Sequence, residues 1–141
     1  MKNHNISEYK GNFETAFKNG DFRQILIIGN LSSEFNKIIN NISDKKEVPA
    51  SEKIPFSYTL LKIRSPFRIG IQQIRVFKFE EITSRDRFDA EKFTNVIKSF
   101  SKHCKNTITA IPINGVLSYH SNTIEKILAE NVIGTKFVIV R

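Results

Sequence analysis

Four large aliphatic residues follow one another at Ile25, Leu26, Ile27 and Ile28, and Gly29-Asn30 and a helical pattern come directly after them. A strand with one face in water alternates apolar and polar residues. An unbroken apolar run therefore indicates a strand that is buried on both faces. Such a strand, feeding a helix through a short turn, is typical of an α/β sheet. We expect the sheet to be built around this strand.

The remaining chain alternates between helical and strand-like patterns. Apolar residues recur at helical spacing over residues 6–17, 32–42, 88–104 and 122–128, and strand-like runs cover residues 24–29, 56–64, 68–79, 107–113 and 136–140. The predicted order is α-β-α-β-β-α-β-α-β. This order favours a single three-layer α/β domain over residues 1–141, in which helices cover a mixed sheet of about five strands. The last β-α-β unit is expected to be a right-handed parallel crossover.

Several local features are predicted within this order. The strands over 56–64 and 68–79 are expected to form a hairpin with its turn at Pro66, and the change of alternation at Gln72-Gln73 predicts a β-bulge. The polar stretch 44–53 is expected to be an exposed loop. The expected helix caps are Asn5 for the first helix, Ser32 or Ser33 for the second, Ser84 or Asp86 for the third, and Asn122 with Glu125 for the last.

Cysteine usage and hydropathy indicate the cellular compartment of the protein. Cys104 is the one cysteine, so no disulfide can form within the chain. No apolar run follows the first residues as in a signal peptide, and none reaches the roughly 20 residues needed to cross a bilayer. We expect a soluble, intracellular and cytoplasmic protein without a membrane span.

The turn after the apolar run lacks the residues of a nucleotide hydrolase. A phosphate-binding loop needs several glycines and a Gly-Lys-Ser/Thr sequence where the helix opens. This chain has Gly29-Asn30-Leu31-Ser32-Ser33-Glu34 instead, and Lys37 lies a full turn too late. NTP hydrolysis is therefore not expected, although the start of this helix could hold an anion.

Other catalytic and metal chemistries have weak support. Cys104 continues the apolar side of its helix, so we interpret it as a buried structural cysteine and not as the nucleophile of a pair with His103. The three histidines have no metal-ligand spacing. A metal-dependent nuclease centre would need acidic residues on neighbouring strands, whereas Glu91 and Lys92 are adjacent and helical. We expect no cofactor and no metal.

A small-ligand site is possible where strands end. The loops after Ile28 and Ile113 are both expected at the carboxyl edge of the sheet, which is where open α/β sheets bind ligands. Asn30, Asn114 and His120 are the candidates for such a site. The alternative is that these residues only form turns.

Half of the net charge of +8 lies in residues 62–87. The basic residues of this segment are Lys62, Arg64, Arg68, Arg75, Lys78, Arg85 and Arg87. Its acidic residues are Glu80, Glu81 and Asp86. Five of the seven arginines are here, and arginine binds phosphate in a fork. Phe67, Phe77, Phe79 and Phe88 alternate with them, so phosphate contacts and base stacking are both conceivable. An abundance of lysine throughout the chain could also account for the charge.

These observations favour a non-enzymatic, basic binding module, and they are compatible with its being one subunit of a larger assembly. Nucleic acid, bound through the arginine-rich hairpin of residues 62–87, is the first hypothesis. A protein scaffold with an acidic or strand-donating partner is the second. A small enzyme that uses the loop of His120 is the third.

Overall fold

The computed structural model describes residues 5–11, 13–19, 21–64 and 70–141. The strands are β1 (Ile6–Glu8), β2 (Gln24–Ile27), β3 (Lys45–Val48), β4 (Tyr58–Arg64), β5 (Ile71–Lys78), β6 (Ile108–Pro112) and β7 (Lys136–Val140). The helices are α1 (Phe13–Asn19), α2 (Ser33–Asn40), α3 (Ala90–His103) and α4 (Ser121–Asn131). Short 3₁₀ turns cover Glu80–Ile82 and Gly115–His120.

The strands form one mixed sheet in the order β1-β7-β6-β2-β5-β4-β3. The first five strands of this order are mutually parallel, and β4 and β3 continue the sheet in antiparallel pairing. Strand β2 is the middle strand, and all four of its residues are buried. The α/β class and the core position of the aliphatic run are confirmed, as is the parallel pairing of β6 with β7.

Helices pack against both faces of the sheet. Val76 and Phe77 are consecutive residues of β5, so their side chains point to opposite faces. Ile39 of α2 lines the same small cavity as Val76, whereas Phe100 of α3 meets Phe77 with ring centroids 4.9 Å apart. Helices α2 and α3 therefore cover opposite faces, and the molecule has three layers. We call these the α2 face and the α3 face.

The sheet has seven strands where about five were expected, because β1 and β3 were missed. The stretch with β1 was predicted to be helical from Asn5, but Ile6–Glu8 pairs with β7, and the Tyr9 N–H donates to the Ile139 carbonyl at 2.9 Å. The stretch with β3 was predicted to be a loop. Its residues are mostly exposed, so they show no apolar alternation, and pairing with β4 alone makes them a strand.

The predicted bulge at Gln72-Gln73 is wrong. The β4–β5 register runs unbroken from Thr59 opposite Val76 to Arg64 opposite Ile71. Gln72 consequently points inward and is 9% exposed, while Ile71 points outward and is 51% exposed. The prediction assumed that every isoleucine of the strand would be buried. The hairpin turn itself, with Pro66, lies outside the described residues.

Three predicted caps were misplaced, and one of them is Asn5, since α1 begins at Phe13. Asp89 caps α3, because its side chain accepts a hydrogen bond from the Lys92 N–H at 3.0 Å. Residues 84–87 precede the helix and form a turn, which is closed by a hydrogen bond from the Ser84 N–H to the Arg87 carbonyl. Helix α4 begins at Ser121, ahead of the predicted pair. Ser32 does occupy the cap position of α2. Among the described residues, no helix has the length and apolar character that crossing a membrane requires.

Candidate nucleic-acid interface

Three of the predicted binding residues lie on one face of the β4–β5 hairpin. Lys62 and Arg64 are two residues apart on β4, so they share a face. Arg75 of β5 lies opposite Leu60, which belongs to the same alternating set as Lys62 and Arg64. Arg75 is also adjacent to Phe77 in that set, which places the group on the α3 face of the sheet.

Strand β3 adds a fourth basic residue to this face. Lys46 lies opposite Leu60 and thus stands in the same row as Arg75. Lys46, Lys62 and Arg64 are exposed, and Arg75 is half-buried. We call Lys46, Lys62, Arg64 and Arg75 the basic sheet face. Lys46 was missed by sequence reasoning because β3 was predicted to be a loop.

The basic sheet face contains no carboxylate within the described strands β3, β4 and β5. Glu47 is their one acidic residue, and its alternation places it on the α2 face. There its Oε1 atom accepts a hydrogen bond from the Thr59 hydroxyl at 2.8 Å. The four cations are thus left without acidic neighbours on their own side of these strands, which makes this surface strongly positive.

A shallow cleft lies beside Arg75. It has a volume of about 220 Å³ and is lined by Arg23, Leu60, Gln73, Arg75 and Thr107. The guanidinium of Arg75 stands over the Tyr58 ring, 5.6 Å from its centroid. Arg23 precedes β2, so the cleft lies at the amino end of the parallel strands. Arginine, glutamine and threonine are residue types that commonly contact phosphate in nucleic-acid complexes.

The other predicted binding residues lie elsewhere. Lys78 alternates with Val76 and is therefore on the α2 face. Arg85 and Arg87 belong to the loop after β5, at the carboxyl end of the parallel strands, where the Arg85 guanidinium stands 5.7 Å from the Tyr119 ring centroid. Arg68 lies outside the described residues. The seven predicted residues do not form one surface.

The predicted stacking of bases on phenylalanine has little support. Phe77 is fully buried, and it packs on Phe100. Phe79 packs edge to face on Phe56, with centroids 5.2 Å apart. Phe88 stacks on His120. Phe67 lies outside the described residues. These contacts make the three described phenylalanines part of the packing of the domain.

The loops at the carboxyl edge pack closely against each other. The Asn114 Oδ1 atom accepts the Ser32 N–H at 2.8 Å, which joins the loops after β2 and β6 and brings Asn114 close to Asn30. A Cβ placed on Gly29 would lie 2.9 Å from the Leu117 Cδ2 atom and 3.0 Å from the Thr83 Cβ. The turn where a phosphate would approach the backbone is therefore filled by side chains.

His120 makes its contacts with the loop after β5. Its ring stacks on Phe88, and its Nε2 atom lies 3.0 Å from the Ser84 carbonyl oxygen. These contacts attach the 3₁₀ turn before α4 to the loop after β5. The structure thus brings together two of the three residues of the predicted small-ligand site and gives the third separate partners.

Two titratable groups outside the basic sheet face have shifted pKa values. Burial raises the pKa of the Cys104 thiol, against the opposing effects of the Gln24 amide and the Arg75 charge. Cys104 is 4% exposed, as expected of a structural cysteine. The hydrogen bond from Lys92 lowers the pKa of Glu81. Lys92 and Glu81 form an exposed ion pair, which joins α3 to the turn after β5.

No group of three His, Cys, Asp or Glu residues in the described part of the chain is placed to hold a metal ion. Comparisons with protein-family models, with curated proteins and with solved structures give no match to this chain.

Proposed function

We propose that this protein is a non-enzymatic module that binds a nucleic-acid strand through the basic sheet face, as a component of a larger assembly. The observation that carries the proposal is the placement of Lys46, Lys62, Arg64 and Arg75 on one side of three strands whose single carboxylate points to the other side. Neutralising phosphates with such side chains releases counterions, and this release supplies most of the affinity of sequence-independent binding.

The chemistry of the surface favours a phosphate backbone over an acidic protein. Cores of protein interfaces are enriched in aromatic residues and depleted in lysine. The basic sheet face has two exposed lysines, and its tyrosine, Tyr58, is half-buried beneath Arg75. Gln73 and Thr107 add neutral hydrogen-bonding groups, which commonly contact phosphate and sugar. We therefore infer binding that depends on phosphate contacts and varies little with base sequence.

Charge reversal on the two faces of the same strands tests the proposal. The test variant is Lys62→Glu/Arg64→Glu, and the matched control is Lys45→Glu/Lys78→Glu, which makes the same change of charge on the α2 face. All four side chains are exposed, so both variants should fold. Binding is measured by fluorescence anisotropy of a labelled single-stranded oligonucleotide at about 50 mM salt.

The test variant is expected to bind roughly tenfold or more weakly than the wild type, because it removes phosphate contacts. The control removes none, and its affinity is expected to fall by less than about threefold. Equal losses in the two variants would mean that net charge, and not this face, governs binding. The proposal would then be wrong. Circular dichroism and melting temperature establish that each variant is folded.

The edges of the sheet give less support to a strand-donating protein partner. β3 forms one edge, and it is four residues long with exposed Lys45 and Lys46; β1 forms the other with three residues. Short and charged edge strands are the usual protection against strand addition. His120 is likewise accounted for by its contacts with Phe88 and Ser84, which support a structural role.

A further inference from the structure

A second cavity lies on the α3 side of the molecule. It has a volume of about 520 Å³ between the last turns of α3 and the segment that joins α4 to β7. Its charged lining consists of Lys98, Lys102 and Lys105, which are exposed. Asn106 and Asn131 add amides, and Ile133, 74% exposed, forms part of its rim. We call this cavity the lysine groove.

The three lysines are not explained by ion pairs. Within the described residues, none of them has a carboxylate at ion-pair distance, whereas Lys92 at the other end of α3 pairs with Glu81. Lysine near the end of a helix does interact favourably with the helix dipole. That interaction fades within the last turn and does not account for Lys98, or for Lys105 beyond the helix.

The lysine groove and the basic sheet face meet at the amino end of β6. Asn106 lines the groove, and the next residue, Thr107, lines the cleft with Arg23 and Arg75. The same junction brings the end of α3 near β5, since the Gln24 amide donates to the Cys104 sulfur at 3.7 Å and Gln24 lies opposite Arg75. A surface of basic and neutral polar groups therefore runs from the hairpin, past the cleft, to the last turns of α3.

We propose, resting on the function proposed above, that the partner is a single-stranded nucleic acid that lies on the basic sheet face and continues into the lysine groove. The distance from Arg64 to Leu60 along β4 is about 13 Å, and the distance from Lys105 to Lys98 along α3 is about 10 Å. With the three strand spacings from β4 to β6, the path is about 37 Å long.

The shape of the path favours a single strand. It begins on the sheet and ends on the outer side of a helix, so it rises by about 10 Å, a helix diameter, within this short distance. A duplex is stiff over lengths of about 150 base pairs, and bending it through such a step is costly. At a rise of about 3.4 Å per nucleotide, as in a stacked strand, roughly eleven nucleotides span the path, which is within the usual site size of single-strand binders.

The experiment compares labelled oligothymidylates of about five and about twelve nucleotides in anisotropy titrations at low salt. The shorter one spans the basic sheet face alone, and the longer one spans both surfaces. The test variant is Lys98→Glu/Lys102→Glu/Lys105→Glu, and the control is Lys37→Glu/Lys45→Glu/Lys78→Glu, with the same charge change on exposed residues of the α2 side. Lysine-to-glutamine versions replace either set if melting shows that the glutamates disturb the fold.

The wild type and the control are expected to bind the longer strand about tenfold or more tightly than the shorter one, and the test variant is expected to lose most of this preference. If the test variant keeps the wild-type preference for the longer strand, the lysine groove is not part of the path. The same conclusion follows if the wild type shows no preference for length while reversal of Lys62 and Arg64 still weakens binding. The function proposed above would then stand alone. Failure of both lengths to bind would overturn that function as well.

Two competitors identify the partner class. Unlabelled oligothymidylate is expected to displace the probe at lower concentration than a duplex of equal length or a polyglutamate of equal charge. A more effective duplex would contradict a single-stranded partner. A more effective polyglutamate would overturn the assignment to nucleic acid in favour of an acidic protein.

Discussion

Gln24 is a buried polar residue in the middle strand of the sheet, and its neighbours show what it contributes. Its Oε1 atom accepts the Thr109 hydroxyl at 3.0 Å, and its amide group donates to the Cys104 sulfur at 3.7 Å. Gln24 and Thr109 are both 0% exposed, so neither can exchange these partners for water. The group connects β2, β6 and the end of α3 beneath the proposed binding path.

Replacing Gln24 by leucine is expected to destabilise the fold by about 1–3 kcal/mol, because the buried Thr109 hydroxyl loses its acceptor. Urea unfolding measures the free-energy difference. Gln73→Leu is the matched control, since Gln73 is exposed on β5 and the same substitution should change stability by less than about 0.5 kcal/mol. If Gln24→Leu and the control have the same free energy of unfolding, the hydrogen bond between Gln24 and Thr109 contributes nothing to stability.

At the level of the elements, Gly29 determines how the loops at the carboxyl edge pack. A Cβ there would meet the Leu117 side chain at 2.9 Å and the Thr83 carbonyl oxygen at 3.2 Å, and both residues are buried. Gly29→Ala is therefore expected to cost about 1–3 kcal/mol, as overpacking of a close-packed site does.

A double-mutant cycle with Leu117→Ala separates this clash from other effects. Leu117→Ala alone should destabilise the fold because it leaves a cavity, but it also makes room for the new Cβ. The double variant is thus expected to be more stable than the sum of the two single effects predicts. If urea unfolding shows that the two substitutions change the free energy of unfolding additively, Gly29 does not pack directly on Leu117.

The elements also show how far the sequence predicts this fold. β2, α3, β6 and β7 have enough buried apolar residues for their periodicity to identify them. β1 and β3 do not, because three or four residues with exposed side chains become strands only through the neighbours with which they pair. The β4–β5 register has a similar origin: Gln72 points inward, as continuous pairing requires, although its side chain is polar.

The candidate site was predicted in part for the same reason. Lys62 and Arg64 alternate on one strand, so a shared face is visible in the sequence. The addition of Arg75, Lys46 and Arg23 depends on strand order and register. Lys78 lies on the other face because it alternates with Val76 along β5, which has no bulge. The separation of Arg85 and Arg87 depends on where β5 ends, which residue counts along the segment do not reveal. The position of Lys98, Lys102 and Lys105 beside this surface depends on how α3 packs, which the sequence does not show.

At the level of the whole molecule, the two ends of the parallel strands differ in character. Ligands of open α/β sheets commonly bind at the carboxyl ends of strands. Here Leu117, Thr83 and Asn114 close that edge, whereas Arg23, Arg75 and Lys105 surround the amino end. We infer that the fold uses the apolar run of β2 as a scaffold and presents its charge at the opposite end.

The salt dependence of binding tests this account most directly. A single strand that contacts about eight cations should show log K falling with log salt at a slope of about −5.6, and the Lys62→Glu/Arg64→Glu variant should reduce the magnitude of the slope by at least about 1. The Lys45→Glu/Lys78→Glu control should keep the wild-type slope. An oligonucleotide affinity that stays constant between low and physiological salt, or a slope that neither charge reversal changes, would contradict binding through this basic surface.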